Sequence, residues 1–153
     1  MDSKQWGSAE SYSNSIKLPG YNIISICETY LKSETSAYID EYYFHGHNRL
    51  NIPNPAIKGS GGVGVFVSNN IFSSYTAWVV DKFVDGILAI LFVDKVSEFN
   101  SLLISCYLPP DGSPYANTSV FFNHLLSILY LHSSCDCVII CGDINAWIDS
   151  DAD

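Results

Sequence analysis

The carboxylate Asp143 and the carboxamide Asn145 follow a short apolar run, Val138 to Cys141, and a glycine, Gly142. Four apolar residues that end at a turn signal are typical of a strand covered on both faces, and ligands bind at the carboxyl ends of strands in such sheets. A carboxylate can accept a proton or bind a metal ion, and an amide NH2 can donate to a phosphate oxygen. If strand geometry continues through both residues, their side chains point the same way. We therefore expect a polar site at the end of a buried strand.

Two other predicted strands also end on polar side chains. Glu28 follows the apolar run of residues 21–27, and Tyr107 lies near the end of residues 101–108, before a pair of prolines. Taken singly, a strand-end glutamate is commonly solvated, and a tyrosine more often packs with its hydroxyl in water. The alternative is that Glu28 and Asp143 meet in one cleft, with the phenol and the carboxamide lining it. Any chemical function of these residues depends on that meeting.

Length and composition predict a single globular domain. The chain has 153 residues, of which 48% are hydrophobic and 15% charged, a balance that favours a packed core over disorder. The longest apolar stretch, Ile87 to Val93, is too short to cross a bilayer. Residues 1–18 predict a loose polar leader, serine-rich rather than apolar, and 19–153 the folded domain. An intracellular protein, nuclear or cytoplasmic, is the default expectation.

The charge balance limits the kind of nucleic-acid binder this chain could be. Seven basic residues stand against sixteen acidic ones, for a formal net charge of −9. Neutralisation of phosphates supplies most of the affinity of nucleic-acid binders, so the acidic balance counts against a self-sufficient DNA-binding protein. It does not count against a metal-dependent phosphodiesterase, whose carboxylates recruit the cation that the substrate then meets.

The five cysteines predict free thiols. Their number is odd, and Cys27, Cys106 and Cys141 lie in apolar, strand-like runs, where buried free thiols are the ordinary interpretation. Cys135 and Cys137 could begin a thiolate metal site, but no second pair of ligands stands at a supporting spacing.

Two further motifs favour structural roles. His45 and His47 fall in a predicted polar loop with Asn48 and Arg49, where solvated or backbone-bonded histidines are more common than metal ligands. The glycine-rich run of residues 59–64 lacks the lysine of a P-loop and precedes a strand, so it predicts a tight turn.

Hydrophobic periodicity predicts one helix among strands. The predicted helix, Val120 to Leu131, has a wide apolar face and Thr118 or Ser119 as its N-cap. The predicted strands lie at residues 21–27, 37–46, 63–68, 75–80, 86–93, 101–108 and 138–141.

Four motifs in order resemble those of the endonuclease/exonuclease/phosphatase (DNase I-like) family. They are Ile-Cys-Glu-Thr at 26–29, Gly-Gly-Val-Gly-Val-Phe-Val at 61–67, Cys-Tyr-Leu-Pro-Pro at 106–110 and Cys-Gly-Asp-Ile-Asn-Ala at 141–146. Within that family the sequence is most similar to the endonuclease domain that LINE-type retrotransposons place ahead of their reverse transcriptase. The resemblance covers about Leu18 to Ile148.

The resemblance implies an α/β (α+β) fold, an incomplete four-layer αββα sandwich of two mixed β-sheets flanked by helices. It implies hydrolysis of phosphodiester bonds in DNA with Mg2+ or Mn2+ as cofactor. Glu28 matches the family's metal-binding glutamate, and Tyr107 the tyrosine that contacts the scissile phosphate. Asp143 matches the aspartate that activates water or assists the leaving group, and Asn145 the asparagine that holds the phosphate. A cation and hydrogen-bond donors offset the charge that develops on the phosphate oxygens.

The sequence departs from the family pattern at both ends. Asn14 lies in polar surroundings and does not match the family's first-strand asparagine, and no Ser-Asp-His motif occurs before Asp153. We therefore expect residues 19–153 to form a partial domain, truncated at both ends and impaired in catalysis. Missing strands would bare apolar faces and sheet edges, which predicts self-association through exposed edges.

Two alternatives to a DNA endonuclease remain open. One is a non-catalytic remnant or interaction module of the same fold, which would lose nothing when Asp143 becomes alanine. The other keeps the fold and acts on a lipid or inositol phosphate as a phosphodiesterase or phosphatase.

Overall fold

The computed structural model describes residues 20–32, 35–49 and 60–145, which form two β-sheets and two helices. The predicted leader, Asn14 and the residues after Asn145 lie outside the described part. The elements in chain order are β1 (Ile23–Cys27), β2 (Tyr42–His47), β3 (Val63–Ser68), α1 (Ile71–Ser74), β4 (Tyr75–Asp81), β5 (Ile87–Asp94), β6 (Asn100–Tyr107), α2 (Thr118–Leu131) and β7 (Cys137–Asp143).

The first sheet, sheet A, has the strand order β1-β3-β2, and both pairings are antiparallel. Its central strand β3 reads Val-Gly-Val-Phe-Val-Ser, and all six residues are buried. Gly61 and Gly62 form a bend before it, within the run predicted as a turn. Gly62 has φ +89°, and a Cβ there would meet the Thr29 hydroxyl at 2.5 Å, so only glycine lets the β1 end and the β3 start approach this closely.

The second sheet, sheet B, has the order β4-β5-β6-β7. The first three strands form an antiparallel meander, and β7 joins β6 in parallel after the helical crossover through α2. Parallel pairing makes both strands end at the same edge of the sheet. Tyr107 and Asp143 are register partners there, the last residues of their strands.

The side chains of sheet B divide between two cores because they alternate along each strand. Leu103 and Tyr107 face sheet A and pack with residues of β3 and β5. Leu102 and Ile104 face the other way and pack against α2. The sandwich therefore has one core between the sheets and another under α2.

Helix α2 covers the outer face of sheet B. Phe121, Leu125 and Ile128 form its buried face. Its N-cap is Asn117, whose side chain accepts a hydrogen bond from the Val120 N–H, so the predicted cap at residue 118 or 119 is wrong. An asparagine before the first helical residue satisfies the same unpaired N–H groups, and the sequence offers three polar residues in a row.

The two-sheet α+β architecture confirms the predicted fold class. Within the described residues sheet A is antiparallel throughout and sheet B is mixed. In that same part of the chain, no helix has the length and hydrophobicity to cross a membrane.

Two predictions about burial are wrong. Val138, Ile139 and Ile140 were expected in a strand covered on both faces, but β7 is an edge strand among the described residues and all three are exposed. His47 was expected in a polar loop, but it is the buried last residue of β2. In both cases the burial depends on a neighbouring segment, which local periodicity does not reveal.

Candidate functional site

Three strand ends meet at one end of the sandwich: those of β1, β6 and β7. The Cys27 thiol at the end of β1 donates to the Cys106 carbonyl oxygen of β6 at 3.3 Å. Further from the strand ends, the Ser25 and Ser105 hydroxyls lie 2.8 Å apart between the two sheets. These contacts hold the end of sheet A against the end of sheet B. As a result Glu28, the residue after β1, lies beside the end of β6.

The Tyr107 hydroxyl donates a hydrogen bond to the Glu28 carboxylate at Oε1. Tyr107 is only 5% exposed, whereas Glu28 is exposed. Burial raises the pKa of the Tyr107 phenol well above its usual range, the hydrogen bond to Glu28 raises it further, and the positive charge of Arg49 opposes the rise. Tyr107 is therefore a protonated hydrogen-bond donor at neutral pH.

Tyr30 is a site residue that the sequence did not single out. Its hydrogen bond with Glu28 raises the pKa of its phenol. Tyr30 and Tyr107 therefore both hydrogen-bond to the Glu28 carboxylate. The Tyr30 N–H donates to the Gly61 carbonyl oxygen at 3.0 Å, and the Thr29 N–H to that of Gly62 at 3.3 Å. These bonds tie the segment after β1 to the glycine turn before β3. A tyrosine two residues after a strand-end glutamate carries no signal by itself.

Left-handed backbone conformations concentrate at this end of the molecule. Glu28 (φ 52°), Tyr30 (φ 53°) and Asn145 (φ 46°) are three of the five non-glycine residues with positive φ in the described part. Such conformations cost about 1–3 kcal/mol each for ordinary residues, persist where the surroundings fix them, and cluster at functional sites. Asparagine tolerates this region best, so Glu28 and Tyr30 store most of the strain.

Asp143 and Asn145 lie at the end of β7 beside Tyr107. The Asn145 N–H donates to Asp143 Oδ1 at 2.9 Å, and the Asn145 side-chain amide donates to the Leu108 carbonyl oxygen at 2.8 Å. The strand ends at Asp143, so strand geometry does not continue to Asn145 and the condition under which both side chains point the same way is not met. The turn instead lets the asparagine orient the aspartate and bind the β6 end.

A buried arginine stands next to this end of the sheets. Arg49 is 4% exposed, its guanidinium lies 4.4 Å over the Tyr115 ring, and its Nε lies 3.7 Å from Asp85 Oδ2. The neighbouring His47 ring places Nδ1 2.8 Å from the Ile87 carbonyl oxygen. The contacts of Arg49 and His47 join β2 to the start of β5 and so fix the two sheets beside the site. The sequence showed these residues only as part of a polar loop.

The described side chains can supply only part of the ligands of a metal ion. In residues 20–32, 35–49 and 60–145 no three His, Cys, Asp or Glu side chains come together in a way that could hold a metal ion. Mg2+ commonly takes one or two carboxylates and fills its remaining positions with water and substrate phosphate oxygens. The exposed Glu28 carboxylate fits that limited share. The five cysteines, all described, are free.

The structure thus brings the four residues together: Glu28 contacts Tyr107, Tyr107 is the strand partner of Asp143, and Asn145 binds Asp143. Their roles in catalysis and metal binding stay predictions.

A comparison with protein-family models finds no match, and neither does a comparison with curated proteins. The structure is similar to the crystal structure of an AP endonuclease from Leishmania major, with a TM-score of 0.65 and 15% sequence identity. The likeness establishes the fold. It covers 82% of this chain and 46% of the other, so this chain spans less than half the length of that protein.

Proposed function

We propose that this chain carries part of a divalent-metal-dependent endonuclease site that hydrolyses phosphodiester bonds in DNA. The observation that carries the proposal is the Glu28 carboxylate held by the buried Tyr107 phenol, with Asp143 opposite Tyr107 on the neighbouring strand. The shared fold with a protein described as an AP endonuclease supports nuclease chemistry.

The proposed roles follow from the protonation and hydrogen bonds of each group. Tyr107 stays protonated, and its single O–H, which here donates to Glu28, would donate to a phosphate oxygen when substrate replaces that hydrogen bond. Asp143 is exposed, with one carboxylate oxygen held by the Asn145 N–H, and accepts a proton from the attacking water. The water oxygen bonds to phosphorus as the bond to the leaving sugar oxygen breaks. The proton of the attacking water goes to Asp143, and the leaving oxygen takes a proton from solvent. Glu28 would be the chain's ligand for Mg2+ or Mn2+, which when bound offsets charge on the phosphate oxygens.

The order of the four motifs favours an endonuclease of the retrotransposon type, linked in its parent protein to a reverse transcriptase. An endonuclease of that type would act inside the cell, in the nucleus or cytoplasm. The net charge of −9 opposes DNA binding, and a bound cation would offset part of that repulsion.

A plasmid-nicking assay tests the proposal on the chain extended by its adjoining coding sequence, because the residues described here form only part of the site. We expect conversion of supercoiled to nicked plasmid with Mg2+ or Mn2+ and none with EDTA. Asp143→Asn should lower the rate by about 10²-fold or more, the usual contribution of a proton-transferring group. Asp136→Asn is the matched control, because Asp136 lies just before the other end of β7 and binds the Asn100 N–H. Absence of nicking with both metals, or equal loss in both variants, would contradict the proposal.

A further inference from the structure

Arg49 is the only arginine in the sequence, and it has no role in the proposed reaction. Its side chain is 4% exposed, although arginine is almost never fully buried unless it is paired. The Asp85 carboxylate that faces it is 40% exposed and lies 3.7 Å from Arg49 Nε, which is longer than a normal hydrogen bond. Such a pair offsets the burial of a charge poorly. The other contacts of Arg49 therefore carry more of the explanation.

On the side of sheet A, the guanidinium packs against the glycine turn, residues 60–62. Its Nη1 donates a hydrogen bond to Ser60 Oγ at 3.1 Å. A Cβ built on Gly61 would lie 3.0–3.2 Å from three atoms of the guanidinium, so the face of this group lies directly against that glycine. Arg49 therefore holds the glycine turn from the side of β2.

The opposite side of the glycine turn holds the segment that carries Glu28. The Gly61 carbonyl oxygen accepts a hydrogen bond from the Tyr30 N–H at 3.0 Å, and the Gly62 carbonyl oxygen accepts one from the Thr29 N–H at 3.3 Å. Glu28 and Tyr30 have left-handed backbone conformations, which persist where the surroundings fix them. A displacement of the glycine turn would therefore displace the Glu28 carboxylate.

On the side of sheet B, Arg49 contacts the two loops that flank Tyr107. Its guanidinium lies 4.4 Å from the centroid of the Tyr115 ring, in the connection from β6 to α2. Asp85 lies in the connection from β4 to β5, and the next residue, Gly86, accepts a hydrogen bond from the Tyr107 N–H at 2.7 Å. One guanidinium thus joins the glycine turn to both loops.

We propose that Arg49 is a positioning residue of the nuclease site, which sets the distance between the Glu28 carboxylate and the Tyr107 phenol. The inference rests on the proposed function, in which Glu28 is the metal ligand and Tyr107 the donor to phosphate. A planar guanidinium can stack on a ring, lie against a glycine and donate to a hydroxyl at the same time, whereas lysine would keep the charge and lose the planar contacts. A misplacement of about 1 Å near reacting groups can cost roughly 10²-fold in rate.

Hydrogen exchange, measured by NMR on the wild-type chain and on Arg49→Lys, tests the positioning without any nuclease activity. We expect the amides of Thr29 and Tyr30 to exchange about tenfold faster in Arg49→Lys, relative to amides of the central strand β3, which report global unfolding. The variant keeps the positive charge, so faster exchange would come from the lost contacts of the guanidinium. Equal exchange ratios in the two proteins would overturn the proposal.

Ser60→Ala gives the same test in a variant that does not have to bury a lysine. It removes the hydroxyl that accepts from Arg49 Nη1, and exchange of the Thr29 and Tyr30 amides should become about fivefold faster, the equivalent of one hydrogen bond. Ser101→Ala is the matched control, because Ser101 is also half-buried but lies at the start of β6, away from Tyr107. Equal effects of the two serine variants would contradict the role of Arg49.

The nicking assay on the extended chain supplies the functional measurement. In Arg49→Lys the Mg2+ concentration at half-maximal rate should rise and the maximal rate should fall by about tenfold, whereas Ser101→Ala should keep the wild-type values. If the wild-type extended chain does not nick, the proposed function fails, and the exchange ratios still decide whether Arg49 holds the glycine turn. If it nicks and Arg49→Lys keeps the wild-type rate and Mg2+ dependence, only the positioning role is overturned.

Discussion

The hydrogen bond between Tyr107 and Glu28 should make a measurable contribution to stability. A hydrogen bond to a charged group contributes about 1.5–3 kcal/mol when both partners are buried. Tyr107 is 5% exposed but Glu28 is exposed, so water replaces the lost donor on the carboxylate. We therefore expect Tyr107→Phe to lower the free energy of unfolding by only about 1 kcal/mol, or Tm by roughly 2–4 °C for a chain of this length.

A double-mutant cycle with Glu28→Ala isolates the interaction. Alanine removes the carboxylate that accepts the Tyr107 hydrogen bond, whereas the amide oxygen of a glutamine would still accept it. Urea denaturation of the four proteins should show a coupling energy of about 1 kcal/mol. Tyr38→Phe is the matched control, because its hydroxyl donates to Asp40 at 3.4 Å between two exposed side chains; its effect should stay within about 0.5 kcal/mol of zero.

Additive effects of the two substitutions, within about 0.3 kcal/mol, would refute this interpretation. They would mean that the two side chains do not interact in solution, and with that the site as described would lose its central contact.

Two further predictions concern the strands that carry the site. Gly142→Ala should destabilise the fold by about 2–4 kcal/mol in urea denaturation, because a Cβ there collides with the Cys106 carbonyl oxygen. The control Gly112→Ala also has a positive φ but open space around it, and it should cost only about 1 kcal/mol. Equal costs for the two variants would contradict the collision. Burial raises the pKa of the Cys106 thiol from 9.0 to about 12. The folded state therefore holds this proton more tightly than the unfolded chain, so stability is full below pH 9 and falls as pH rises from 9 towards 12. In Cys106→Ala the free energy of unfolding should fall less steeply between pH 9 and 11 than in the wild type, measured by urea denaturation at each pH. An unchanged slope would mean that the Cys106 thiol does not cause the fall.

Local pattern predicted the strands and α2 well. Alternating or continuous apolar runs mark β1, β3, β5 and β6 because their own side chains form the two cores. Apolar residues at helical spacing mark α2 in the same way. The cap at Asn117 was missed because three neighbouring residues in a row can cap a helix, and packing selects among them.

Burial that depends on a partner segment was not predictable. An apolar strand such as β7 has the same sequence pattern in the middle of a sheet as at its edge. Only the strand order of sheet B shows that β7 is exposed. Arg49 and His47 are the reverse case. Both residues are polar, yet they are buried because residues at the start of β5 contact them. Arg49 lies next to the Asp85 carboxylate, and the His47 ring lies next to the Ile87 carbonyl oxygen.

For the candidate site, the sequence alone determined which residues stand at the ends of strands: Glu28, Tyr107, Asp143 and Asn145. A strand's end and the polarity of the next side chain are local properties, written in consecutive letters. Only the tertiary structure decided that Glu28 binds Tyr107, that Tyr30 joins them and that Asn145 turns back to orient Asp143. Those contacts depend on the packing of sheet A on sheet B and on the parallel pairing of β6 with β7, which join residues about 80 and about 40 positions apart in the chain.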